Sequence, residues 1–200
     1  MSALFDHRII PLASIADAAH IDAIGEGLVA GGLPVVEVAL RSEHGLPAIE
    51  RLAARGDLLV GAGTVLDVAQ ARDAIAAGAR FVVTPGLDAD VVRVVQDAGL
   101  PIVPGVLTAT EVQAAMRMGL DRLKLFPAGP FQALSVLSAY ADVYPRTKFM
   151  PSGGVSPENL AEHLRHPAVF AASGSWITKR AVDGADAVAQ AARAAMELAR

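Results

Sequence analysis

The sequence predicts an α/β fold, a compact single-domain (β/α)8 barrel. Short runs of β-branched and apolar residues alternate with longer segments of helical period, which is typical of a parallel sheet with crossover helices. Eight such pairs fit into 200 residues, fewer than the ~250 residues usual for a TIM barrel, so the loops must be short. No linker or low-complexity segment divides the chain, and residues 1–200 are therefore predicted to form one domain.

The eight predicted strands follow one another in order, each before a helical segment. They span residues 8–13, 34–40, 58–63, 80–84, 101–106, 122–126, 148–151 and 169–173. Glycine residues are expected to end four of the helices, because glycine readily adopts the left-handed conformation at a helix terminus. These are Gly31, Gly78, Gly99 and Gly119. Helix starts are expected at Ser156-Pro157 and at Thr110-Glu111. An open doubly wound sheet is the alternative, but eight consecutive parallel units favour closure.

Composition narrows the classes of function. With a net charge of -4 and no cluster of Lys or Arg, we expect no binding to nucleic acid or to an anionic membrane, and a small-molecule partner instead. The lack of cysteine excludes thiolate catalysis and fits a reducing, cytoplasmic location. Asp6, His7 and Arg8 interrupt the first apolar residues, so no signal peptide is expected. A hydrophobic content of 53% with 19% charged residues indicates a homo-oligomer.

Lys124 lies in a predicted strand of otherwise apolar residues. Because side chains alternate along a strand, Lys124 points into the barrel if Leu123 and Leu125 face the helices. Burial disfavours the charged ammonium, and a nearby cation such as Arg41 would act in the same direction, leaving the neutral amine that attacks a carbonyl group. The alternatives are a structural lysine paired with an inward carboxylate and a lysine that reaches the rim.

The second predicted strand carries two further ionisable residues, Glu37 and Arg41. Their spacing places both on one face of the strand, so opposite charges are expected to share the barrel interior with Lys124. A carboxylate there can transfer protons, and a guanidinium at the mouth can bind a carboxylate through two hydrogen bonds. A buried ion network without chemistry is the alternative, although such networks rarely stabilise a fold relative to apolar residues.

Glycine-containing turns follow the seventh and eighth predicted strands, at residues 151–155 and 173–176. Such turns allow backbone N–H groups to approach an anion, and a helix N-terminus at Ser156 lies nearby, so a phosphate site is expected here. Turns that merely require glycine are the alternative. Thr64 follows the third strand and is a candidate substrate ligand. The five scattered histidines show no metal-site spacing, and His163 and His166 are expected on an exposed helix face.

Five motifs occur together in one order along the chain. They are Glu37-Val-Ala-Leu-Arg41-Ser42, Gly61-Ala-Gly-Thr64-Val-Leu66, Thr84-Pro85-Gly86, Leu123-Lys124-Leu-Phe126-Pro127 and Ser152-Gly-Gly-Val155. In this combination the chain, from about Ile10 to Trp176, strongly resembles the 2-keto-3-deoxy-6-phosphogluconate (KDPG) and 4-hydroxy-2-oxoglutarate aldolase family. The resemblance implies a homotrimeric class I aldolase, without metal or cofactor, that cleaves KDPG reversibly to pyruvate and glyceraldehyde 3-phosphate.

The resemblance also implies a role for each matching residue. Lys124 would form the Schiff base and Glu37 would act as the general acid and base. Ligands of the substrate are implied for the remaining positions: Arg41 and Thr64 for the pyruvyl part, Gly153, Gly154 and Ser175 for the phosphate, and Pro85 and Ser152 as further substrate contacts.

Two segments depart from the family pattern. Ser14 follows the first strand where many members carry a basic residue that holds the phosphate, and the loop after Pro127 is a few residues shorter than usual. The alternatives are therefore an aldolase for 4-hydroxy-2-oxoglutarate or another non-phosphorylated 2-oxo acid, and a galactonate-type aldolase, which the Arg41-Ser42 pair disfavours. A phosphosugar epimerase or a catalytically silent barrel would share the fold but would not need Lys124.

Overall fold

Short parallel strands and helices alternate along residues 3–200, the part of the chain that the computed structural model describes; residues 1 and 2 of the predicted domain lie outside it. The strands are β1 (Ile9–Ala13), β2 (Val35–Ala39), β3 (Leu59–Gly63), β4 (Val82–Val83), β5 (Ile102–Val103), β6 (Gly105–Val106), β7 (Arg122–Leu125), β8 (Lys148–Pro151) and β9 (Ala172–Gly174). The helices are α1 (Ile21–Ala30), α2 (Gly45–Ala53), α3 (Val68–Ala76), α4 (Ala89–Asp97), α5 (Ala109–Arg117), α6 (Ala133–Val143), α7 (Pro157–Arg165) and α8 (Ala185–Leu198).

The strands form a curled parallel sheet in two hydrogen-bonded segments. One segment has the order β5-β4-β3-β2-β1-β9 and the other the order β6-β7-β8. Two parallel bridges, between Phe149 and Val169 and between Ser152 and Ser173, connect the β8 edge of the smaller segment to β9 and to the residues just before it. The α/β class and the succession of strand and helix predicted from periodicity are thus confirmed. Among the described residues, no helix has both the length and the apolar character of a membrane-spanning segment.

Two predicted strands are divided or shifted in the structure, and the fourth is shortened from residues 80–84 to Val82–Val83. The fifth, predicted over residues 101–106, is split at Pro104 into β5 and β6, because proline has no N–H to donate to the neighbouring strand. The Pro104 carbonyl still accepts a hydrogen bond of 2.8 Å from the Lys124 backbone N–H. The last strand, predicted over residues 169–173, forms instead over Ala172–Gly174, where it pairs with β1.

Helix termini follow the predicted chemistry, with two corrections. Gly78, Gly99 and Gly119 have positive φ values after their helices, and Ser156 with Pro157 begins α7. At the end of α1, however, Gly31 has a φ of -80°, and the left-handed residue is the next one, Gly32, with φ 78°. Helix α5, however, does not start at Thr110. Its N-cap is Thr108. Glu111, the third residue of the helix, completes a capping box because its carboxylate accepts a hydrogen bond from the Thr108 backbone N–H.

The Glu111 capping box predicts a pH-dependent contribution to stability. Burial acts to raise the pKa of Glu111, but hydrogen bonds from the Leu107 and Thr108 backbones and the Thr108 hydroxyl outweigh it and hold the pKa below the ordinary 4.5. The ionised form is therefore favoured by folding, and its stabilisation is lost as the pH falls through the folded-state pKa. Glu111→Ala should lower the free energy of unfolding by about 1 kcal/mol at neutral pH. In denaturant titrations the difference from wild type should shrink below pH 4.5; a constant difference would contradict this assignment.

Helix α7 buries one histidine that the sequence pattern had placed on a solvent-exposed face. The His163 side chain is buried, between the buried Leu160 and Leu164, and its Nδ1 lies 2.9 Å from the Asn159 carbonyl oxygen. The expectation for His163 is thus wrong, because this side of the helix packs toward the sheet. His166 is partly buried at the helix end, where burial, followed by the charges of His163 and Lys148, lowers its pKa.

Candidate active site

Lys124 and Glu37 meet in the interior of the curled sheet. Lys124 lies on β7 and Glu37 on β2, and Lys124 Nζ is 3.4 Å from Glu37 Oε1. Their side chains are only 2% and 0% exposed, so both functional groups are removed from bulk water. Lys124 Nζ also lies 5.4 Å from the centre of the Phe126 ring, which supplies one apolar wall of the site. The inward orientation expected from strand alternation is therefore observed for both residues.

A buried amine beside a carboxylate can carry out covalent chemistry on a carbonyl group. A neutral lysine attacks the carbonyl carbon, and the adjacent carboxylic group can accept and return the protons that each later step requires. Because both side chains are buried, electrostatic interactions between them are stronger than they would be at the surface.

The Glu37 side chain occupies a space that glycine leaves free on the neighbouring strand. Gly63 pairs with Ala39 at the end of β3. A Cβ atom added to Gly63 would lie 2.6 Å from Glu37 Cγ and closer still to Oε1. Glycine at this position is thus required for the carboxylate to reach its observed place. In the sequence, the only signals for Gly63 are its place in the Gly61-Ala-Gly-Thr64 motif and its parity with Gly61 along the strand.

Gly63→Ala should displace the Glu37 carboxylate from Lys124. Misplacement of a reacting group by about 1 Å can cost roughly 100-fold in rate, so we expect a fall in kcat of that order. Gly61→Ala is the matched control, because its added Cβ would collide with the Phe81 ring instead. Both variants should lose stability, and kcat measured per folded molecule separates them. A Gly63→Ala enzyme with wild-type kcat would show that the carboxylate position is not critical.

Arg41 lies at the edge of the site instead of in its interior. Strand β2 ends at Ala39, and Arg41, two residues later, is exposed. The expectation that Arg41 shares the buried interior with Lys124 is therefore wrong. Arg41 Nε donates a hydrogen bond of 2.9 Å to Thr64 Oγ1, and Thr64 has a left-handed backbone with φ 57°. This contact fixes one edge of the guanidinium and leaves its terminal amino groups available to an anion.

The remaining candidate ligands follow the ends of β4, β8 and β9. Pro85 and Ser175 are half-buried, and Ser152 is buried. Gly153 and Gly154 have φ values of 80° and 105°, a conformation that favours glycine. The bridge between Ser152 and Ser173 brings the glycine turn beside the strand that leads to Ser175. These residues thus follow the C-terminal ends of their strands, as Arg41 follows β2 and Thr64 follows β3.

Ser173 is a second interior residue whose contact the sequence could not identify. Its hydroxyl is fully buried and donates a hydrogen bond of 3.3 Å to Glu37 Oε2. Parity along β9 was the available signal for an inward side chain, but its partner depends on the register of β9 against β1. Within the described residues, no three His, Cys, Asp or Glu side chains lie together as a metal-ligand set.

Comparison with known proteins places the chain in one family. The family model described as "Aldolase: KDPG and KHG aldolase" matches residues 1–192. A 2-dehydro-3-deoxy-phosphogluconate aldolase of Pseudomonas aeruginosa is 43% identical over 176 residues, which are 88% of this chain and 80% of the relative.

Solved structures agree with the sequence comparison. KDPG aldolase from Legionella pneumophila, with pyruvate captured as a covalent carbinolamine, superposes with a TM-score of 0.92 at 33% identity, covering 96% of both chains. The KDPG aldolase of Zymomonas mobilis ZM4 with 3-phosphoglycerate has a TM-score of 0.88 at 33% identity and covers 96% of this chain and 95% of that one. The sequence, the fold and the buried lysine–glutamate pair agree that the chain belongs to the KDPG and KHG aldolase family.

Proposed function

We propose that this protein is a class I aldolase that reversibly cleaves 2-keto-3-deoxy-6-phosphogluconate to pyruvate and glyceraldehyde 3-phosphate. The observation that carries the proposal is the buried pair of Lys124 and Glu37, with Nζ and Oε1 3.4 Å apart. The capture of pyruvate as a carbinolamine in the Legionella relative supports the same chemistry.

In this mechanism Lys124 is the nucleophile and Glu37 moves the protons. The Lys124 amine attacks C2 of the 2-oxo acid to give a carbinolamine, and proton donation by Glu37 allows water to leave, forming an iminium ion. Glu37, now a carboxylate, accepts the C4 hydroxyl proton as the C3–C4 bond breaks, and the electron pair of that bond passes toward the iminium nitrogen to form an enamine. Glyceraldehyde 3-phosphate is released. Glu37 protonates the enamine at C3, and hydrolysis of the resulting iminium frees pyruvate and Lys124.

We infer the substrate ligands from the family motifs in which they stand and from their places after the ends of the strands. Arg41 and Thr64, already hydrogen-bonded to each other, bind the pyruvyl carboxylate, and Pro85 and Ser152 contact the substrate beside it. Gly153, Gly154 and Ser175 bind the phosphate through the backbone and the hydroxyl at the strand ends. The 3-phosphoglycerate present in the Zymomonas structure supports a phosphorylated substrate.

A non-phosphorylated 2-oxo acid such as 4-hydroxy-2-oxoglutarate is the second candidate. Ser14 is exposed directly after β1, where a basic residue would strengthen phosphate binding. Measuring pyruvate release from KDPG, its unphosphorylated and galactonate analogues and 4-hydroxy-2-oxoglutarate distinguishes these substrates. The highest kcat/KM is expected for KDPG, and a higher value for an unphosphorylated acid would favour the second candidate.

We also propose that residues 1–200 form one closed (β/α)8 barrel. Strands β5 and β6 are separated only by Pro104, and the bridge from Ser152 to Ser173 joins the other ends of the two sheet segments, which supports closure. A homotrimer is proposed from the family, with exposed apolar side chains such as Phe131, Val143 and Val182 available for a subunit contact. A cytoplasmic location accompanies this assignment.

Reduction with borohydride in the presence of pyruvate tests the proposed chemistry directly. The sequence contains three lysines, at positions 124, 148 and 179, so peptide mass mapping can assign the adduct unambiguously. We expect reduced pyruvate on Lys124 and on neither of the other lysines. If the protein remained unlabelled, or was labelled at another residue, it would not be the proposed enzyme. The remaining alternatives would then be a phosphosugar epimerase and a catalytically silent barrel.

A further inference from the structure

We propose that Ser173 is a positioning residue that holds the Glu37 carboxylate against Lys124 through the proton-transfer steps; this inference rests on the proposed function. It begins with the two oxygens of Glu37, which face different partners in the described chain. Oε1 faces Lys124 Nζ at 3.4 Å, and Oε2 accepts a hydrogen bond from Ser173 Oγ at 3.3 Å. Glu37 and Ser173 are each 0% exposed, so each of these side chains has its hydrogen-bond partner within the protein interior.

Glu37, Lys124 and Ser173 come from three strands, β2, β7 and β9, that are far apart in sequence. Ser173 pairs with Ile10 on β1, and β1 pairs with β2, which carries Glu37. The hydroxyl therefore reaches the carboxylate across one intervening strand, while Lys124 approaches it from β7. Gly63 provides the space that the carboxylate occupies. Because the Ser173 hydroxyl is hydrogen-bonded to Oε2, rotation of the Glu37 carboxyl group is opposed, and Oε1 stays directed at the Lys124 amine.

A hydroxyl suits a carboxyl group that changes protonation state during turnover. Ser173 donates to Oε2 while Glu37 is a carboxylate, and by rotating its O–H it can accept a hydrogen bond when Glu37 is protonated. A fixed donor would stabilise only the ionised state, and an apolar residue would leave a buried oxygen without a partner. Ser173 can thus support both halves of the proton cycle without itself exchanging a proton with the substrate.

Ser173→Ala tests this role because it removes the hydroxyl without adding atoms to the interior. The readouts are kcat and KM for aldol cleavage and the rate at which the methyl protons of pyruvate exchange with deuterium in D2O, a step that requires Glu37 but no C–C cleavage. We expect kcat and the exchange rate to fall together by about 10- to 100-fold, the usual effect of a lost hydrogen bond to a charged group. KM should change much less. Tyr140→Phe, which removes a hydroxyl donating 3.0 Å to the Leu107 carbonyl, is the control and should retain both rates.

A double-mutant cycle separates positioning of Glu37 from a general loss of structure. If Ser173 acts through Glu37, Ser173→Ala should have little further effect on the exchange rate in the Glu37→Gln background. Equal effects of Ser173→Ala in both backgrounds, or wild-type exchange in the single variant, would overturn the inference. The borohydride reaction with wild-type protein is run in parallel. Absence of a Lys124 adduct there would refute the proposed function itself, whereas an adduct with unchanged exchange in Ser173→Ala refutes only the role of Ser173.

Discussion

Lys124→Met is expected to reduce kcat for aldol cleavage by roughly 10⁴-fold or more, since removal of a covalent nucleophile eliminates the pathway it opens. Methionine keeps much of the side-chain volume of lysine in a position that is only 2% exposed, so packing is largely preserved. Cleavage is measured as pyruvate release in a coupled assay. The variant should also lose the borohydride adduct.

Lys148→Met is the matched control for that experiment. Lys148 lies on the adjacent strand β8, and its Nζ donates a hydrogen bond of 2.9 Å to the Pro167 carbonyl, away from the Glu37 pair. This variant should retain turnover. Substantial cleavage by Lys124→Met would exclude a Schiff base at Lys124, whereas no cleavage by either the wild type or the variant would favour the epimerase alternative, in which this lysine is not required.

Glu37→Gln should lower kcat by about 10²- to 10⁴-fold, the range in which general acid–base catalysis contributes. Glutamine keeps the shape and can still accept a hydrogen bond from Ser173, but it cannot carry a proton between substrate and solvent. Lys124 should therefore still be trapped slowly with pyruvate, while exchange of the pyruvate methyl protons should slow by a similar factor to a residual rate. Proton NMR in D2O measures this exchange. Normal exchange in Glu37→Gln would assign the proton carrier to a different group.

The interior pair was predictable because it depends on local alternation. Leucines on both sides of Lys124, and valines on both sides of Glu37, placed the charged residues on the opposite face of each strand. The contact between them needed only the further assumption that the strands curl around one interior. Both Lys124 and Glu37 point into the interior, as alternation predicts, although they are 87 positions apart in sequence.

Features that depend on strand register or on competing caps were less predictable. The position of β9 is set by its pairing with β1, in which Ile9 lies opposite Ala172, and an apolar run alone cannot reveal that register. The contact of Ser173 with Glu37 follows from the same register. At α5 the pattern around Glu111 suggested a start at Thr110, whereas the reciprocal hydrogen bonds with Thr108 determine where the helix begins. Arg41 was assigned to the interior because the second strand was predicted to extend further than it does.

The two glycines of β3 have a consequence for how the specificity of this protein could be altered. Neighbouring side chains already fill the inward face of β3, with the Phe81 ring over Gly61 and the Glu37 carboxyl over Gly63. At these two positions the strand therefore has no side chain that could be shortened to enlarge the substrate space, and any atom added there meets atoms already in place. We expect acceptance of bulkier aldehydes to be altered instead at Ser175, which is half-buried and follows β9.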